Sequence, residues 1–244
     1  MTNPFHLATE SYGAVRPSYP RAAVERILEG AEASELTIAD VGAGTGKLTS
    51  ELLARGAQVA AIEPAQAMRD QMLELVGQHP GLSIIDAHGE STGLEDSSVD
   101  RAVFAQSWHW MDPLATCVEM HRIVRPGGQL MIVWNQLDVT IPWVHRLTRI
   151  MRSGDVHRPD RPPVLSDLWS QPVLDRYDWE DLTSPEEIME LGTTRSSYLR
   201  STSAGRVKMQ DNLRWYLYEH LGFAPNSTVT LPYFTLVWSA NRAQ

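Results

Sequence analysis

Three glycines at alternate positions, Asp40-Val-Gly42-Ala-Gly44-Thr-Gly46, separate an apolar run (Leu36 to Val41) from a segment with Leu48, Leu52 and Leu53 at helical spacing. That order predicts a strand, a tight turn and a helix closed by Gly56. Glycines in such a turn let the backbone bend sharply and approach a ligand with no Cβ in the way. In an open parallel sheet a ligand lies outside the carboxyl ends of the strands, where the strand order reverses. The run therefore constrains both the fold class and the address of a site.

The neighbouring segments extend the pattern. Gln58 to Ile62 predicts a second buried strand, and Ala65 to Val76 a helix with Met68, Met72, Leu75 and Val76 on one face. Leu82 to Asp86 and Arg101 to Ala105 read as the third and fourth strands. Asp112-Pro113 reads as an N-cap and first-turn proline for a helix running to about Val124. Arg125 to Gly128 then predicts a turn, and Gln129 to Trp134 a fifth strand. Apolar strands alternating with amphipathic helices predict an α/β fold, a Rossmann-like, mostly parallel sheet with helices on both faces.

After residue 135 the pattern loosens. Helices are expected over Pro142 to Met151, Pro185 to Leu191 and Val207 to Leu221, and a surface loop over 154–163. A sixth strand is expected over Val173 to Trp179 and a seventh over Thr228 to Ser239. Pro232 suggests an edge position or a bulge for the seventh. No stretch reads as a flexible linker. The expectation is one domain over 1–244, with a core at about 34–135, a helical insertion over the cleft at about 141–221 and a C-terminal strand at about 228–239.

Spacing discriminates among ligands for the glycine loop. A phosphate-binding P-loop needs four residues between its glycine and Gly-Lys, then Ser or Thr. Three residues separate Gly42 from Gly46-Lys47, and Leu48 follows. A dinucleotide fingerprint needs glycine or alanine three residues after its second glycine, and Lys47 stands there. An acidic residue followed by Gly-x-Gly-x-Gly suits a nucleoside ligand without phosphate, such as S-adenosylmethionine. Asp40 is that acidic residue; its other reading is a strand-end carboxylate bonded to loop amides. Glu63 ends the second strand, where a carboxylate can accept both hydroxyls of a ribose. The alternative is a surface glutamate favoured by the start of the helix behind Pro64.

The net charge of −9 argues against a nucleic-acid backbone as main partner. Arg146, Arg149, Arg152, Arg158 and Arg161 read as a solvated basic stretch. Cys117 is the sole cysteine, so no internal disulfide forms, and no His or Cys spacing predicts a metal site. Met1 to Glu10 shows no basic-then-apolar leader, and apolar runs such as Leu130 to Trp134 are too short for a bilayer. These readings predict a cytoplasmic protein with no membrane partner and leave the oligomeric state open.

Five further runs carry a family resemblance. They are Tyr12-Gly-Ala-Val-Arg16-Pro-Ser-Tyr19-Pro20, Glu63-Pro64-Ala-Gln-Ala-Met68, Asp96-Ser-Ser-Val-Asp100, Gln106-Ser-Trp108-His109-Trp110 and Arg122-Ile-Val-Arg125-Pro-Gly-Gly128. In this order and spacing the chain resembles the class I S-adenosylmethionine-dependent methyltransferases, in particular the small-molecule branch of the type 11-like enzymes. The resemblance implies that Gly42, Ala43 and Gly44 pass the methionine part of the cofactor, Glu63 holds the ribose, and Pro64 and Met68 flank the adenine. It implies Gln106 under the sulfonium and Tyr12, Arg16 and Tyr19 as an N-terminal flap, whose other reading is a proline-rich loop packed on the domain. Where the family has Asp-Ala-Glu, this chain has His88-Gly89-Glu90, so a backbone group near His88 and Gly89 is expected to meet the adenine.

The implied reaction is methyl transfer to a small-molecule acceptor. Trp108 and Trp110 are candidates to line the cationic sulfonium, with a core role expected for at least one. His109, just past the fourth strand, is the candidate general base, ahead of His145 and His157. Two other readings stay open: a non-catalytic S-adenosylmethionine- or nucleoside-binding protein, and an NAD-dependent oxidoreductase.

Overall fold

The computed structural model describes residues 15–153 and 157–243. They group into two compact units. Of the described residues, a sheet unit holds 18–135, 158–177 and 235–243, and a helical unit holds 15–17, 136–153, 157 and 178–234.

The sheet unit opens with α1 (Arg21–Leu28), β1 (Thr37–Val41), α2 (Lys47–Leu53), β2 (Gln58–Ile62) and α3 (Gln66–Val76). β3 (Leu82–Ile85), β4 (Val99–Ala105), α4 (Pro113–Ile123) and β5 (Val124–Leu137) follow. The last two strands of the chain are β6 (Val173–Thr183) and β7 (Val229–Asn241), of which residues 173–177 and 235–241 belong to the sheet unit. β1 and β2 are buried at every position but their first, which explains their unbroken apolar sequences. α4 starts where expected: the Asp112 carboxylate accepts the Leu114 and Ala115 amides at 3.0 Å, with Pro113 in the first turn.

The seven strands lie in the order β3-β2-β1-β4-β5-β7-β6. All pairings among β1 to β5 are parallel. The chain moves outward from β1 to β3, then returns to place β4 beside β1. That reversal opens a crevice at the carboxyl ends of β1 and β4. Antiparallel pairing enters with β7 and β6: the Arg242 amide donates to Gly128 O and the Asp138 amide to Pro232 O.

The core of the sheet unit joins Val24, Ile27 and Leu28 of α1 and Leu48 and Leu52 of α2 to Ile38, Val59, Val103, Met131 and Val237 of the strands. The helical unit contains α5 (Pro142–Ile150), α6 (Pro185–Thr193), α7 (Ser196–Leu199) and α8 (Ser203–Arg214). Its own core packs Val144, Leu147, Ile188, Leu191, Leu213 and Tyr216 together. Ser184 and Glu187 form a reciprocal capping box at the start of α6. No helix among the described residues is long and apolar enough to cross a membrane.

Four details differ from the sequence expectations. β7 is not an edge strand, because β6 lies outside it. Pro232 forfeits only its own donor, and its carbonyl still accepts the Asp138 amide at 3.0 Å. Arg125 to Gly128 is not a separate turn but an irregular start to β5, with a register shift against β4 between Val99 and Arg101. The helix expected to reach Leu221 ends at Arg214 and continues as a π-helical turn, Trp215–His220. α1 was not expected at all; its apolar stripe of Ala23, Val24, Ile27 and Leu28 lies just behind the proline-rich run.

Candidate functional site

The crevice of the sheet unit is built on the turn after β1. Gly42 and Gly44 have φ of 70° and 59°, the left-handed region that glycine enters without strain. The Gly42 and Ala43 amides donate to Ile62 O at 2.8 and 3.1 Å, which ties the loop to the end of β2. A Cβ on Gly42 would lie 2.5 Å from the Ser107 Cβ, so glycine is required for the loop to pack on the turn after β4. A Cβ on Gly44 would meet nothing within 4 Å. The two glycines differ: one is needed for packing, the other faces open space.

Glu63 is only 6 % exposed. One carboxylate oxygen accepts the Gly44 amide at 3.0 Å and the other the Ala65 amide at 2.9 Å. The carboxylate thus joins the glycine loop to the first turn before α3. Arg69 braces this corner, donating to Glu63 O at 2.8 Å and pairing with Asp86 at 2.8 Å. Nothing in the sequence around Arg69 signals that it reaches back across the turn.

Asp40 is fully buried beneath the loop and accepts the Thr49 hydroxyl at 2.6 Å. Burial pushes its carboxyl from the ordinary 3.8 up to about 6; the Thr49 bond opposes this and the Glu63 charge adds to it. The folded state therefore holds this proton more tightly than the unfolded chain. Between about pH 4 and 6 stability from this group falls as pH rises, and above 6 it is flat. Asp40→Asn keeps an acceptor for Thr49 and cannot titrate. The stability of the wild type relative to Asp40→Asn is expected to fall by about 2–3 kcal/mol from pH 4 to 7 in urea unfolding. A pH-independent difference would mean that Asp40 titrates as in the unfolded chain.

The turn after β4 forms the other wall. Gln106 has φ of 62°, a conformation that costs a non-glycine residue energy and tends to persist where its surroundings fix it. Its amide donates to Val133 O at 2.9 Å and its side chain to Asn135 O at 2.8 Å. The Ser107 hydroxyl donates to Val41 O. Trp108 is 5 % exposed and packs edge-on to Phe104 at 4.8 Å, a core position. His109 is exposed and lies 4.8 Å from the ring of Trp110.

Pro64 is half-buried and Met68 buried. His88 is exposed, while Gly89 is buried against Met111 and Val41, where a Cβ would come within 2.9 Å of both. Glu90 accepts the Asp112 amide at 2.8 Å, so its carboxylate holds the entry to α4. Tyr19 packs against the core of the sheet unit. Arg16 belongs to the helical unit and donates to Thr194 O at 2.9 Å. Tyr12 lies outside the described residues. The fold thus brings together Asp40, Gly42, Gly44, Glu63 and the Gln106–Ser107 turn. Among the aromatics of the second half, Trp169 is buried in the sheet unit, donating to Cys117 O at 3.1 Å. Trp179 stacks on Tyr233 at 4.9 Å within the helical unit.

Comparisons with known proteins converge on one family. The family described as "Methyltransferase domain" matches residues 39–132, which contain the glycine loop, Glu63 and the Gln106 turn. An uncharacterized methyltransferase of Mycobacterium tuberculosis is 35 % identical over 244 residues, covering 100 % of this chain and 97 % of that protein. An uncharacterized methyltransferase-like protein of Schizosaccharomyces pombe is 30 % identical over 169 residues, 68 % of this chain and 64 % of that protein. A solved structure assigned as a type II methyltransferase from Anaeromyxobacter dehalogenans superposes with a TM-score of 0.61. It shares 23 % identity and covers 93 % of this chain and 97 % of that one, a likeness of fold.

Proposed function

This chain belongs to the class I S-adenosylmethionine-dependent methyltransferases, and we propose that it methylates a small-molecule acceptor from a cofactor held by the glycine loop and Glu63. The observation that carries the site assignment is the Glu63 carboxylate, fixed by the Gly44 and Ala65 amides beside a loop that leaves open space at Gly44. The residues present fit the cofactor. Two buried carboxylates, Asp40 and Glu63, make the loop unfavourable for phosphates and favourable for a ligand that carries positive charge.

S-adenosylmethionine, when bound, supplies a methyl carbon on a sulfonium leaving group. In this reading Gly42, Ala43 and Gly44 admit the methionine part, and Glu63 accepts hydrogen bonds from the ribose hydroxyls. Pro64 and Met68 flank the adenine, and the backbone at His88 and Gly89 meets its edge. Gln106 faces the reacting end, held by its bond to Asn135. Trp108 keeps that turn rigid through Phe104. Holding the partners in line is the main catalytic task, worth about 7–11 kcal/mol in well-oriented systems. The acidic chain, at a net charge of −9, favours a small acceptor over nucleic acid.

Calorimetric titration with S-adenosylmethionine, S-adenosylhomocysteine and NADH tests the assignment. Binding of the first two and not the third is expected; binding of NADH alone, or of none, overturns it. His109 is assigned as the base that takes a proton from the acceptor. With an accepted substrate, His109→Ala is expected to lower turnover by about 10²- to 10⁴-fold and leave S-adenosylhomocysteine affinity unchanged. Full turnover in the variant would remove the base role.

A further inference from the structure

The turn after β4 and the helix after the glycine loop are tied by a chain of hydrogen bonds through Asn135, near the end of β5. The Asn135 carbonyl accepts the Gln106 side-chain amide at 2.8 Å. The Asn135 Nδ2 donates to Ser18 O at 2.9 Å. The Ser18 hydroxyl donates in turn to Glu51 at 3.0 Å. Glu51 lies on α2, the helix that begins directly after Gly46. Every member belongs to the sheet unit. The chain of bonds therefore runs from one wall of the crevice to the other. Gln106, fixed at φ 62° with its backbone amide on Val133 O, gives it a rigid end.

A fully buried hydroxyl sets the direction of the Asn135 amide. Thr235 interrupts the apolar run Tyr233-Phe-Thr-Leu-Val237 of β7 and is 0 % exposed. A buried hydroxyl is costly unless it is bonded, a cost that an apolar side chain in this place would not carry. The Thr235 Oγ1 donates to Asn135 Oδ1 at 2.6 Å. Ser18 O can only accept, so the NH2 end of the amide must face it, and the Oδ1 end then needs a donor. Thr235 supplies that donor. Both bonds demand the same orientation, so the amide is held in one of its two flips.

We propose that Asn135 is a positioning residue for cofactor binding: its amide, aimed by Thr235, holds Ser18, and through Ser18 the helix α2, in place against the Gln106 turn. This role rests on the assignment of the crevice to S-adenosylmethionine. The effect is preorganisation, since walls that are already tied leave less ordering to be done when a ligand binds. By linkage, the affinity gained cannot exceed the stability that the bridge gives to the tied arrangement. The net worth of one neutral hydrogen bond corresponds to about three- to tenfold in a binding constant.

Calorimetric titration of the full chain with S-adenosylhomocysteine, paired with amide hydrogen exchange of the ligand-free protein, tests this. Asn135→Asp removes the donor to Ser18 and keeps an acceptor for Thr235. Thr235→Val removes the aiming hydroxyl without adding charge. Ser18→Ala breaks the Glu51 end, and because Ser18 is exposed it keeps the test available if a buried substitution prevents folding. Each is expected to weaken S-adenosylhomocysteine by about three- to tenfold and to speed exchange around Ser18 and Tyr19. Thr235→Ser, which restores the hydroxyl, should bind like the wild type. Asn135→Asp combined with Ser18→Ala should lose no more than the worse single variant, because either break releases the same bridge. Additive losses overturn the proposal. So does a lower Tm with unchanged affinity in the folded variants, the mark of a purely structural role. If the wild type itself binds no S-adenosylhomocysteine, the cofactor assignment fails and the positioning role with it. If the wild type binds and the folded variants match it, the positioning role alone fails.

Discussion

Glu63→Ala is expected to weaken S-adenosylmethionine binding by about 10²- to 10³-fold while the protein remains folded. Hydrogen bonds to a charged group contribute about 1.5–3 kcal/mol each, and two ribose hydroxyls sharing one carboxylate, each at the low end of that range, give roughly 3–4 kcal/mol in affinity. The same substitution leaves the Gly44 and Ala65 amides without their acceptor. A buried amide deprived of its partner costs about 1–3 kcal/mol, so a lower Tm should accompany the lost affinity. Glu63→Gln retains a side-chain acceptor and the shape, and should fall between the wild type and the alanine variant. Calorimetry at 25 °C reads the affinity, and urea unfolding reads the stability separately. If the alanine variant binds as tightly as the wild type, Glu63 is a loop brace and does not hold the ribose.

Gly42→Ala is expected to be the most damaging single methyl in the site. Alanine at a φ of 70° is strained by about 1–2 kcal/mol. Its Cβ would stand 2.5 Å from the Ser107 Cβ, and overpacking of that kind adds about 1–3 kcal/mol. Together they should cost about 2–5 kcal/mol of stability, read as a lower urea midpoint with an unchanged slope. Gly44→Ala provides the contrast. Its strain is similar, but its Cβ enters open space, so the folding cost should stay near 1–2 kcal/mol. Its larger effect should be on S-adenosylmethionine affinity. Equal stability losses in the two variants, or a Gly42→Ala protein as stable as the wild type, would refute this division of roles.

Much of the sheet unit was legible in the sequence. The bounds of β2 and the N-cap at Asp112 match their expectations because each depends on local chemistry. A buried parallel strand announces itself as an apolar run, and an Asp-Pro pair satisfies the first amides of a helix. The glycine loop was readable for the same reason, since a left-handed backbone restricts the residue type at the position itself. α1 carried a readable stripe too, yet the Arg16-Pro-Ser-Tyr19-Pro20 run before it drew attention to turn chemistry instead.

The sequence by itself determined that this chain forms an α/β sheet with a glycine loop after its first strand and an acid at the end of its second. Periodicity and steric demands act over a few residues and leave their mark there. Only the tertiary structure decided that β7 lies inside the sheet, because strand order depends on a pairing with β5 about a hundred residues earlier. It also decided that Glu90 serves the Asp112 turn and that Asp40 is buried enough to hold its proton up to about pH 6. Burial and charge pairing belong to the neighbours that distant segments supply, and no single stretch of sequence encodes them.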